Sequence, residues 1–122
     1  MLAMMDIGID NALAVQISGR VTATDMQLIL SNAKHKIETH GSIVVLEKID
    51  SLEGIEIAAV VEEFRYLLEV GISNITKVAI LTDKKWIPYI ASIGDKLFSN
   101  TEMKCFPIEA QLEAVKFLQS TS

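Results

Sequence analysis

Apolar residues recur along this chain with two different periods, and the switches between them mark its elements. Leu13, Val15 and Ile17 alternate with Ala14, Gln16 and Ser18, the period-two pattern of a half-buried strand. The run before it, residues 2–9, is also apolar-rich, and Asp10-Asn11 separates the two. An Asp-Asn step tolerates positive φ and suits a tight turn, so the pattern predicts strand, turn, strand. Thr24 with Gln27 three residues on has the form of a capping box. Met26, Ile29, Leu30, Ala33 and Ile37 then fall on one helical stripe, which Gly41 ends, predicting a helix over about 24–40.

Ile43-Val44-Val45-Leu46 is apolar on both faces, as a central parallel strand is when helices cover both sides. A loop is expected from Lys48 to Gly54. Ile57, Val60, Val61, Phe64, Leu67 and Leu68 return to helical spacing, with Glu62, Arg65 and Glu69 opposite and Gly71 at the end. Lys77 to Thr82 predicts another buried strand. Asp83 is placed to cap a third helix bearing Trp86, Tyr89, Ile90, Ile93 and Leu97, with Pro88 marking a kink or a later start. Glu102 to Phe106 alternates as an edge strand does, Pro107 breaks it, and Leu112, Val115 and Leu118 mark a final helix. The expected order is ββαβαβαβα: an α/β domain with a mixed five-stranded sheet, an N-terminal hairpin and then right-handed parallel crossovers. Ligands meet such sheets at the carboxyl ends of their parallel strands.

Composition narrows the functions available. The chain has 122 residues, the size of a single domain over 1–122, and half of them are apolar. Eleven basic against sixteen acidic residues leave a net charge of −5, which disfavours a nucleic-acid phosphate backbone or an anionic membrane surface as the main partner. A lone cysteine forms no internal disulfide, and no apolar run approaches a membrane span. The opening residues lack the basic stretch and cleavage site of a signal peptide. A cytoplasmic domain is expected.

Candidate chemistry is sparse. His35 and His40 are five apart without a Cys/His cluster, so no metal site is expected. Cys105 reads as a structural thiol. Asp50, Glu53 and Glu56 suit the positive end of a helix dipole. No Gly-rich phosphate loop or nucleophile–base pair is visible, so neither a cofactor nor an enzyme activity is expected. Ser51 follows a central strand just before a helix, where a phosphate would meet free backbone N–H groups. Asp83-Lys84-Lys85-Trp86 sets two lysines at a helix start beside an aromatic, an anion-facing turn with an apolar wall.

The string Lys77-Val78-Ala79-Ile80-Leu81-Thr82-Asp83-Lys84-Lys85-Trp86, then Lys104-Cys105-Phe106-Pro107 and the helix with Glu109, Leu112, Glu113, Ala114, Phe117 and Leu118, resemble the SpoIIAA-like family of small bacterial STAS-type proteins. The resemblance covers nearly the whole chain. It implies a STAS-like fold related to the lipid-exchanging CRAL-TRIO fold, a carrier or sensor of small apolar ligands, and a dimer. In anti-sigma-factor antagonists a phosphorylated Ser sits in an Asp-Ser-(Ser/Thr)-Gly turn. Here Asp50-Ser51 fits, but Leu52-Glu53 intervenes before Gly54.

The resulting expectation is a non-enzymatic domain that binds a lipid- or fatty-acid-like molecule. Ile57, Val60, Val61, Phe64, Leu67 and Leu68 would face Trp86, Tyr89 and Ile90 across a cleft, with Lys84 and Lys85 at its mouth. The alternative is a protein-interaction switch with a regulatory partner and Ser51 as phospho-acceptor. A homodimer is expected that buries part of the apolar run Met1 to Ile9 or an adjacent helix face, since an uncovered apolar edge invites pairing.

Overall fold

The β-branched run at residues 43–46 continues to Asp50 and becomes the centre of a five-stranded sheet. The computed structural model describes residues 2–19, 22–50, 74–88 and 101–120. Its strands are β1 (Leu2–Met5), β2 (Ala12–Ser18), β3 (Ile43–Asp50), β4 (Ile75–Thr82) and β5 (Glu102–Pro107). They lie side by side in chain order. β1 pairs antiparallel with β2, and the β2–β3, β3–β4 and β4–β5 pairs are all parallel. This is the mixed α/β sheet expected from the hydropathy pattern, and it agrees with the STAS-like fold that the family resemblance implies.

Helix α1 (Ala23–His40) joins β2 to β3, and α2 (Gln111–Gln119) follows β5. They cover opposite faces. Alternation along β3 sends Ile43, Val45 and Ile49 to the α1 side, where they join Leu13, Val15, Ile17, Val78 and Ile80 beneath Ile29 and Ala33. Val44 and Leu46 point the other way, to Ala79, Leu81, Phe106, Ala114 and Leu118 on the α2 side. Each such aliphatic side chain removed from water contributes roughly 1.5–3 kcal/mol.

Several boundaries differ from the expectation. The α1 cap is Thr22 rather than Thr24: the Asp25 N–H donates to Thr22 Oγ1 at 3.1 Å, and the Thr22 N–H donates to Asp25 Oδ2 at 3.0 Å. Asp reciprocates here where the usual signature has Glu or Gln, and the box therefore lies two residues before the Thr24–Gln27 spacing. The Thr22 N–H, donated to the carboxylate, holds the Asp25 carboxyl below its ordinary range. At the far end Gly41 has φ +85° and its N–H donates to Ile37 O, a backbone that side-chain-bearing residues resist.

The first strand is short. It stops at Met5, and residues 6–11 form a loop in which the Gly8 N–H donates to Asp6 Oδ1. Ile7 and Ile9 are folded back against the α2-side core, so the apolar run is spent largely on internal packing. β3 extends through Lys48, Ile49 and Asp50, where a loop was expected. After β4, Asp83 caps a single 3-10 turn, Lys84–Trp86, with its Oδ1 accepting the Lys85 N–H. In α2 the buried residues are Ala114 and Leu118, while Leu112 is 65% exposed and lies off the apolar stripe. The helix expected over 57–68 lies outside the described residues, as does the third beyond Pro88, the described Ile87 and Pro88 being helical.

Candidate functional site on the central strands

The centre of the sheet carries a charge-bearing residue where its pattern calls for an aliphatic one. Glu47 shares the parity of Val45 and Ile49 and therefore projects to the α1 face. Its register partners are Val15 on β2 and Ile80 on β4. It is 1% exposed, and its Oε1 has no hydrogen-bond partner. Burial pushes its carboxyl up to about 8, because an ionised carboxylate in an apolar setting loses its hydration without compensation.

Thr82, the last residue of β4, has the same parity as Val78 and Ile80. It is fully buried, and its Oγ1 also has no hydrogen-bond partner. Among the described residues these two are the buried side-chain atoms left unsatisfied. They lie one strand over and two residues along from each other, since Glu47 is level with Ile80. Strand spacing and rise put their backbones roughly 8 Å apart. Such orphans are uncommon and call for an explanation.

Trp86 reaches the same face. The 3-10 turn after β4 carries it back to pack, half-buried, against the α1-side core. Lys84 and Lys85 stay exposed: Lys84 Nζ is 3.6 Å from Glu109 Oε1, and Lys85 Nζ lies 5.4 Å from the centroid of the Trp86 ring. The structure thus places Trp86 on the core and turns both lysines to solvent. Ser51, Ile57, Val60, Val61, Phe64, Leu67, Leu68, Tyr89 and Ile90 lie outside the described residues.

On the opposite face the buried polar group is a cation. Lys77, 6% exposed, extends across β4 to the end of α2. Its Nζ donates to Phe117 O at 3.1 Å, to Ser120 O at 2.6 Å and to Ser120 Oγ, and it lies 5.1 Å from the Phe117 ring centroid. An ammonium has three protons to donate, and a helix carboxyl end is where unpaired carbonyls and negative dipole await it. Lys77 is a structural cap.

The uninterrupted apolar run ends at Leu46, so that run alone does not single out Glu47. The signal was present: Glu47, Lys48, Ile49 and Asp50 continue the alternation, which leaves an acid on the core side. Thr82 and Lys77 lay inside the predicted strand, but their burial depends on what packs over them.

The model of the SpoIIAA-like family matches residues 12–119. The chain belongs to the SpoIIAA-like family. The match begins at the first residue of β2 and ends at the last residue of α2, so it spans the parallel sheet and both helices of this SpoIIAA-like domain. No curated protein and no solved structure matches. No helix among its described residues is long and apolar enough to cross a membrane.

Proposed function

We propose that this SpoIIAA-like chain is a non-enzymatic domain that binds a small apolar or amphipathic molecule as a carrier or sensor. The observation behind this reading is the pair of unsatisfied polar groups on one face of the two central parallel strands, Glu47 Oε1 in the middle of β3 and Thr82 Oγ1 at the carboxyl end of β4. Thr82 marks the carboxyl edge, where parallel α/β sheets receive ligands, and an apolar surround with a few polar groups is the usual make-up of a ligand site. Trp86 supplies an aromatic surface on the same face. As the chain's single tryptophan, it also reports occupancy. Native mass spectrometry of the purified chain should show a co-purified small molecule, and Trp86 emission should move when amphipathic compounds are added. A clean apo mass with emission unmoved across a panel of lipids defeats the reading.

The alternative is a protein-interaction switch regulated at Ser51, and family membership favours it. In that case Ser51→Asp changes which proteins the domain binds, whereas a carrier is indifferent to the substitution. A homodimer paired through the β1 edge, where Met4 is 40% exposed, is compatible with either reading. Sedimentation equilibrium tests it.

A further inference from the structure

We propose that Glu47 and Thr82 recognise the ammonium head of an amphipathic amine, an inference that rests on the ligand-binding reading above. The argument is one of charge. On the described elements packed against this face, α1 presents Met26, Ile29, Ala33 and Ile37, and the flanking strands present Val15 and Ile80. β5 adds Met103 and the Cys105 thiol, which is uncharged in its ordinary state. Lys84 and Lys85 are exposed and face Glu109 and the Trp86 ring. Lys36, on the flank of α1, reaches the backbone oxygen of Asp10. None of these described groups offers Glu47 a counter-charge.

The head group therefore decides the net charge buried. A fatty-acid head would place a second carboxyl beside Glu47, and one ionised oxygen pair would be buried without a cation. An alcohol satisfies hydrogen bonds but leaves Glu47 neutral. An ammonium neutralises the Glu47 carboxylate, donates a charge-assisted hydrogen bond to Oε1 and has further protons for Thr82 Oγ1. Both orphans are then satisfied by one group. The chain's net charge of −5 also favours the approach of a cation over an anion.

The protonation balance gives a distinctive readout. With its carboxyl raised to about 8, Glu47 is mostly protonated near neutral pH in the free protein. The ion pair requires the carboxylate, so amine binding sends the Glu47 proton to the buffer. Calorimetric titration of the full chain with octylamine, octanol and octanoate, in two buffers of different ionisation enthalpy, measures both affinity and proton release.

The expected result is tightest binding of octylamine, with close to one proton released per amine bound. Glu47→Gln keeps the side-chain volume and should weaken octylamine binding by at least about 30-fold while abolishing the proton release. Thr82→Val should weaken it by a few-fold. Octanol or octanoate binding as tightly as octylamine, or octylamine binding that Glu47→Gln leaves unchanged, overturns the head-group assignment and leaves the ligand site standing. Failure of all three compounds to bind overturns both.

Discussion

Among the described residues the two faces of this sheet each bury one ionisable side chain, Lys77 and Glu47, and they treat it in opposite ways. On the α2 face Lys77 is held by the last carbonyls of a helix and by Ser120, so its proton donors are spent inside the fold. On the α1 face Glu47 sits between Val15 and Ile80 with Oε1 unpaired. A buried polar group whose partners come from the same chain contributes to stability. One whose partners are missing costs stability, and its retention calls for an account outside folding.

The largest expected effect sharpens this contrast through pH. Glu47 binds its proton more tightly folded than unfolded, since its carboxyl rises from 4.5 to about 8. Between those values the native state holds the extra proton, so stability falls as pH rises and levels off above about 8. The loss across the window should be roughly 3–5 kcal/mol, an order-of-magnitude figure for a buried acid. Urea unfolding at a series of pH values should show this decline in the wild type and a nearly flat profile in Glu47→Gln. Asp25 acts with the opposite sign in a different range: its carboxyl lies below 3.8 when folded, so its contribution is lost only as pH falls beneath that value.

Next in size is the cation. Lys77→Met keeps the aliphatic stem but strips α2 of its cap, and should lower unfolding stability by about 2–3 kcal/mol. Amide exchange in α2 should accelerate more than in α1. If α2 stays as protected as before, Lys77 is not the cap described above. Thr82→Val replaces an unsatisfied hydroxyl by a methyl of similar shape and should raise stability by about 1 kcal/mol. A loss of comparable size would mean that the hydroxyl has a partner. The smallest effect belongs to Lys84→Ala, which removes an exposed pair with Glu109 and should leave the unfolding midpoint where it was.

Much of the architecture was legible before any coordinates. The strand over 12–18 is set by Leu13, Val15 and Ile17 alternating with smaller or polar neighbours, and the stripe Met26, Ile29, Leu30, Ala33 and Ile37 defines α1. These signals are local: side-chain periods of two and about 3.6 follow from backbone geometry alone. Their order fixes the class of sheet, because parallel neighbours need crossovers and crossovers have one hand. Boundaries were less legible. The cap moved to Thr22 because Asp25 rather than Glu or Gln completes the box, and the opening apolar run split because Ile7 and Ile9 turn inward after Met5.

Whether a polar residue is buried, and whether it finds a partner, was decided only in three dimensions. Lys77 and Lys84 are both lysines near the ends of one strand region, yet the first is 6% exposed and the second is 74% exposed at its side chain. The local pattern puts Lys77 in a strand and Lys84 in the turn after it, but what covers Lys77 is distant: α2, beginning 34 positions later at Gln111, brings its carboxyl end over β4. Glu47 and Thr82 are 35 positions apart in the chain and share a face because β3 and β4 pair in parallel with Glu47 level with Ile80. Register, and the pairing of each buried charge, depend on which distant segments meet. A sequence carries that information only through the packing of the whole chain.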